Sequence, residues 1–152
     1  MKFIKDENIS TAIQNMNFDF NSFVSLLDRN NFKTILMGNY MPNFIFDNPV
    51  CLEDVQQDIQ FREIFNACES SLNKTKRLAD LHLFLSFTSG GKGAPHVDTY
   101  GVYLIGLVGK TLYRNPKEEF IVSPCDILHI EKGEEHRAIG LTPRIILSYG
   151  FR

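Results

Sequence analysis

Residues 81–110 read LHLFLSFTSGGKGAPHVDTYGVYLIGLVGK, and the pattern in this stretch decides the fold. Leu81-His-Leu-Phe-Leu-Ser-Phe87 sets its leucines two apart, the alternation of a strand with one apolar face. The glycine-rich turn Thr88-Ser-Gly-Gly-Lys-Gly-Ala-Pro95 follows, and then the β-rich runs 101–106 and 110–114, joined through Val108-Gly109. The same texture continues over 119–122, 126–130, 136–141 and 144–151, each run separated from the next by turn residues. Closely spaced strands of this kind predict a sandwich, jelly roll or barrel.

Working back from residue 81, the first half reads as mixed helix and strand. Phe20, Phe23 and Leu27 recur at helical spacing behind Asp19 and Asn21, which predicts a helix over about 20–29. Thr34-Ile-Leu-Met37 reads as a strand. Val55, Ile59, Ile64, Phe65, Cys68 and Leu72 trace an apolar stripe that predicts one helix from about 53 to 73. Its other face, with Glu53, Asp54, Gln57, Arg62 and Glu69, is expected in water. No repeat or linker divides the chain, so residues 1–152 are expected to form one domain, with a mixed region over 1–75 and a barrel core over 81–151.

Composition narrows the function classes. The formal net charge of -2 argues against a general electrostatic grip on nucleic acid or anionic lipid. Lys74-Thr-Lys-Arg77 is too short a cluster to reverse that and reads as a solvated helix end. Cys51, Cys68 and Cys125 are odd in number with no CxxC pair, which points away from a disulfide framework or zinc knuckle and toward a cytoplasmic home. The start, MKFIKDENIST, has no apolar signal core. The longest apolar run, Val102 to Val108, is far short of the ~20 residues of a membrane helix. Ser89-Gly-Gly-Lys-Gly93 is not a phosphate loop, because Ser86 stands where the first glycine is needed and Gly93 where Ser or Thr is needed.

Chemistry concentrates at His96-Val-Asp98 and His136. Residues two apart on a strand project to one face, so His96 and Asp98 can aim at one point inside a barrel. A third ligand from a distant strand then completes a facial set. Two imidazoles and one carboxylate leave three octahedral positions open, an arrangement suited to non-haem Fe(II) that binds a co-substrate and oxygen. His82 and His129 lack such partners and read as structural, and Glu134-Glu135 read as a solvated turn.

The surroundings of these residues resemble the cupin superfamily. Its second motif, Gly-Asp, four residues, Pro-x-Gly, two residues, His, is echoed over Cys125 to His136, with Asp126, Gly133 and His136 in register; Cys125 replaces Gly and Glu131 replaces Pro. Its first motif is echoed by His96, Asp98 and Gly109, with Val102 in place of the usual glutamate. Aspartate as second ligand and loss of that glutamate make the chain similar to the Jumonji-type branch. Those are Fe(II)- and 2-oxoglutarate-dependent oxygenases on a double-stranded β-helix (jelly roll), with helices before the barrel.

The resemblance implies Fe(II) held by His96, Asp98 and His136, with 2-oxoglutarate as co-substrate. Oxidative decarboxylation would yield succinate and CO2, coupled to hydroxylation of a substrate C–H bond. One position departs from the pattern: the basic residue expected fifteen positions after the first histidine is Thr111, and strand parity turns Lys110 to the opposite face. The resemblance offers Arg144 as a substitute, eight residues after His136, since many 2-oxoglutarate oxygenases of this fold carry an arginine on the last core strand at about that offset; its planar fork suits a carboxylate. Thr111, Tyr113 or Ser148 would add a hydroxyl, while Val102 and Leu104 alternate inward to line the pocket.

Two other classes stay open: a metal-binding cupin that does not use 2-oxoglutarate (a dioxygenase or isomerase), and a non-catalytic cupin binding module. The expected substrate is a small molecule or a protein side chain, its pocket shaped by loops around 40–50 and 88–95. No nucleic acid or membrane partner is expected, and the chain is expected to be a monomer or homodimer.

Overall fold

The computed structural model describes residues 1–29, 34–36, 49–87 and 94–151. Strand β1 (Lys2–Ile4) leads into helix α1 (Glu7–Met16), which the sequence reading did not single out. Asp6 starts it by accepting from the Ile9 N–H at 2.9 Å, and Asn17, in left-handed backbone, ends it. Ile9, Ala12 and Ile13 form its buried face. Helix α2 (Phe20–Arg29) has the expected bounds, with Asp19 accepting from the Ser22 N–H at 2.7 Å. Its buried residues are Phe23 and Leu26, while Leu27, placed in the stripe by spacing, is 39% exposed.

Strands β2 (Thr34–Leu36) and β3 (Val50–Leu52) follow. The single helix expected over 53–73 is broken. Two short 3-10 turns, Val55–Gln57 and Ile59–Phe61, precede α3 (Arg62–Ser71). The break lies at Asp58, whose backbone is extended and whose side chain accepts from the Gln60 N–H at 2.8 Å. An aspartate that caps the following turn competes with helix continuation. The apolar stripe survives in part: Val55, Ile64 and Cys68 are buried on one core with Phe65 and Leu72 packed against it, but the break turns Ile59 out to 74% exposure and buries Phe61 instead.

The second half is the expected series of strands: β4 (Ala79–Ser86), β5 (Val102–Val108), β6 (Thr111–Arg114), β7 (Glu119–Val122), β8 (Ile127–Ile130), β9 (Arg137–Gly140) and β10 (Arg144–Phe151). They form two antiparallel sheets, a large one in the order β1-β8-β5-β10-β4-β3-β2 and a small one in the order β7-β6-β9. A bridge between His96 and His136 extends the small sheet beyond β9. From β4 onward the chain crosses repeatedly between the sheets: β4 large, His96 small, β5 large, β6 and β7 small, β8 large, His136 and β9 small, β10 large. That winding is the jelly-roll, double-stranded β-helix topology.

Strand parity then distributes the cores. Outward residues of the large sheet, including Leu81, Leu83, Leu85, Ile105, Ile145 and Leu147, pack in the cluster that contains the buried faces of α1, α2 and α3. Inward residues Val102, Leu104, Leu128, Ile130 and Ile146 pack with Tyr113 and Val122 of the small sheet. Strand β10 is therefore covered on both sides, which explains its unbroken Ile-Ile-Leu run. Among the described residues, no helix is long and apolar enough to cross a membrane.

Two turn glycines are under different constraints. Gly109 (φ +70) separates β5 from β6, and a Cβ there would lie 2.0 Å from the Pro143 carbonyl oxygen. Gly133 has nearly the same backbone (φ +77), yet a Cβ there would meet nothing within 4 Å. Gly133→Ala should therefore cost only the left-handed penalty of roughly 1–2 kcal/mol. Gly109→Ala should add an overpacking cost of about 1–3 kcal/mol to that. Denaturant unfolding of the two variants checks the ordering; equal losses would mean that the approach of Pro143 is not limiting.

Candidate metal centre

The barrel mouth brings together three residues that lie far apart in sequence. His96 and His136 exchange backbone hydrogen bonds in both directions, each 2.9 Å, so their side chains share the inward face. Their rings lie 4.4 Å apart between centroids. Asp98 follows on the same face, with its oxygens 3.9 Å from His96 Nε2 and 3.6 Å from His136 Nε2. The Gly133 N–H donates to the Asp98 carbonyl at 3.0 Å, tying the two ligand-bearing segments a second time.

Backbone carbonyls set the chemistry of both rings. His96 Nδ1 lies 3.2 Å from the Ala94 oxygen and His136 Nδ1 lies 3.0 Å from the Glu134 oxygen. A carbonyl only accepts, so each hydrogen bond needs its proton on Nδ1. That leaves the lone pair on Nε2, on the side of Asp98. Two imidazole lone pairs and a carboxylate within 4.8 Å of one another are a donor set for a divalent ion. With the carboxylate 3.6 and 3.9 Å from the two Nε2 atoms, the three groups surround a volume that one divalent ion would fill. The side chain of His136 is sealed at 5% exposure, while that of His96 is 54% exposed, so the set opens on the His96 side.

Deeper in the barrel the interior offers hydrogen-bond donors. Thr111 pairs with Gly140, four residues along β9 from His136, or roughly 13 Å at the rise of a strand. Tyr113 pairs with Ala138 and lies about halfway between. Thr111 is fully buried, and its hydroxyl has no protein partner. Burial pushes the Tyr113 phenol up, with the Arg144 charge opposing, so it remains a neutral donor. Arg144 is 8% exposed; burial lowers its pKa while Tyr113 works in the other direction. Ser148 shares its face, opposite Leu104 and His82. Lys110 is exposed, on the outer side that parity assigns it.

The remaining candidates have structural surroundings. His82 Nδ1 accepts from the Asp54 N–H at 3.3 Å, and its Nε2 lies 3.3 Å from Asp80 Oδ1. His129 stacks on Tyr103, with centroids 4.4 Å apart. Burial pushes the Cys51 thiol up to about 12 and the Cys68 thiol higher still, so neither is a thiolate near neutrality. Glu134 corrects the sequence reading. Its side chain is 21% exposed and receives Asn115 Nδ2 at 3.1 Å, instead of standing in solvent. Sequence spacing holds no signal for that pair, because the partners belong to different turns. The loops around 40–50 and 88–95 lie largely outside the described residues.

No family model matches the chain, and no curated protein matches its sequence. Solved structures do match. YcfD, a ribosomal oxygenase from Escherichia coli solved with cobalt and 2-oxoglutarate, superposes with a TM-score of 0.70 at 19% identity, over 90% of this chain and 44% of that one. A cupin superfamily protein from Desulfitobacterium hafniense superposes with a TM-score of 0.50 at 13% identity, over 80% of this chain and 98% of its own. The chain has the cupin fold. At these identities the likeness is one of architecture. This chain spans less than half the length of the ribosomal oxygenase, whose activity belongs to a larger protein.

The His96, Asp98 and His136 set should bind one divalent ion, which Co(II) titration followed by visible absorption can detect. His136→Ala should abolish that binding, whereas His129→Ala should leave it unchanged. Equal binding by all three proteins would place the ion elsewhere.

Proposed function

We propose that the chain is an Fe(II)- and 2-oxoglutarate-dependent oxygenase of the Jumonji-type branch, acting in the cytoplasm on a small molecule or a protein side chain. The observation that carries this reading is the pair of Nε2 lone pairs beside the Asp98 carboxylate, at the mouth of a barrel with buried donors below. The fold shared with an oxygenase solved with 2-oxoglutarate supports it.

His96, Asp98 and His136 would hold the metal through two imidazole nitrogens and a carboxylate, a set of three that would leave room for other ligands. With both bound, iron and 2-oxoglutarate supply the oxidising power: O2 is consumed, the co-substrate becomes succinate and CO2, and one oxygen atom enters a substrate C–H bond. Arg144 receives the far carboxylate of 2-oxoglutarate. A guanidinium suits this position because it stays charged when buried and offers two parallel donors. The Tyr113 phenol, the Thr111 hydroxyl and Ser148 complete the acceptor-seeking pocket. Val102, Leu104 and Ile130 exclude water from the chamber, which strengthens each of these contacts.

A second reading, a metal-dependent cupin without 2-oxoglutarate, is favoured by Thr111 alone, which stands where the resembling enzymes carry a base. The two readings diverge at Arg144. Succinate release under air with Fe(II) and 2-oxoglutarate should be lost in His136→Ala. In Arg144→Ala, loss of a charge-assisted pair worth about 1.5–3 kcal/mol should raise the 2-oxoglutarate KM roughly 10- to 100-fold. Succinate release that persists in His136→Ala would sink the oxygenase reading. An unchanged KM in Arg144→Ala would move the carboxylate to another anchor.

A further inference from the structure

Both turns beside the metal centre converge on one side-chain contact. Asn115, in the turn between β6 and β7, uses its side-chain oxygen inside that turn, accepting the N–H groups of Lys117 (2.8 Å) and Glu118 (2.9 Å). Its own N–H donates to the Glu118 carbonyl at 3.0 Å. The side-chain amide is thereby fixed in direction, and its NH2 donates to Glu134 Oε1 at 3.1 Å. Glu134 is held from within its own turn as well: Oε2 accepts the Glu131 N–H at 3.3 Å, and the Glu134 N–H donates to the Glu131 carbonyl at 3.1 Å. Glu134 Oε1 also meets the Met1 amino group.

The consequence lies in the backbone of Glu134. Its carbonyl is the group that takes His136 Nδ1–H at 3.0 Å. Torsion about the bond to an imidazole ring is broad, so a ring is oriented only as firmly as the acceptor it donates to. The acceptor here belongs to a residue whose side chain is bound to a different turn. At the preceding residue, the Gly133 N–H is bonded to the Asp98 carbonyl. Two successive residues of the segment 131–136 are thus tied down, Gly133 to the residue that carries the carboxylate ligand and Glu134 to the β6–β7 turn.

We propose that Asn115 and Glu134 form a positioning clamp that fixes where His136 Nε2 stands relative to His96 and Asp98, and so sets metal affinity. This rests on the metal-site reading above. Neither residue touches the ion or the reacting atoms. Their effect passes through the Glu134 carbonyl to the ring.

The test reads Co(II) affinity by calorimetry, with circular dichroism to confirm folding. Asn115→Asp sets two carboxylates against each other and should weaken Co(II) binding about tenfold, the lower range for loss of a group that orients a ligand. Adding Glu134→Gln to that variant supplies a donor from the other side, with the Gln amide facing the Asp carboxylate, and should restore wild-type affinity. Glu134→Ala removes the contact without repulsion and leaves the Asn115 turn intact; it should show the same loss, and it decides the matter if Asn115→Asp does not fold. Folded variants with wild-type affinity would overturn the clamp alone, as would a loss that the paired change does not restore. A wild-type protein that binds no Co(II) would overturn the metal-site reading and the clamp with it.

Discussion

The reciprocal hydrogen bonds between the backbones of His96 and His136 are the constraint on which the site depends. They are an isolated bridge, outside any regular strand, yet they do what a full ladder would do at one position. Because both residues sit in one antiparallel pair, their side chains emerge on the same face and a few ångströms apart. The barrel supplies the segments, β4 running into one and β8 into the other. Without the bridge, the two histidines would lie on independent turns. With it, two rings and a neighbouring carboxylate face one volume, and carbonyl acceptors at Ala94 and Glu134 turn both Nε2 atoms toward it.

The interior below is a matter of parity. On β10, Arg144, Ile146 and Ser148 look into the barrel while Ile145, Leu147 and Tyr149 look toward the helices, so one strand serves both the chamber and the main core. A guanidinium at this depth is expensive to bury, and its planar fork suits a carboxylate. The same alternation makes Thr111 inward and Lys110 outward. Thr111 on β6 and Arg144 on β10 line the same chamber, although their strands belong to different sheets.

Much of this was legible in the sequence, and for identifiable reasons. The strands from β4 onward are short and bounded by turn residues, and their alternation is regular, so their limits shift by only a residue or two. His96, Asp98 and His136 stood out because a period-two pair and a motif register are both visible in one dimension. What escaped depends on local competition or on contacts across the fold. The stripe over 55–72 has helical spacing, but the Asp58 cap breaks it, so that two tight turns and a shorter helix bury most of the stripe while Phe61 takes the place expected of Ile59. Helix α1 follows its Asp6 cap at once, and its buried face is only Ile9, Ala12 and Ile13 among polar residues, with none of the aromatic spacing that marks α2. Glu134 looked like a surface residue because its partner, Asn115, belongs to another hairpin.

The central claim is that one chamber holds both an iron and the dicarboxylate beside it. Anaerobic titration of the Fe(II)-loaded protein with 2-oxoglutarate tests this most directly, since chelation of the iron by the keto acid gives a visible charge-transfer band. The account predicts that the band appears and saturates at one equivalent. Iron that binds to the protein while 2-oxoglutarate produces no band at any concentration would contradict it.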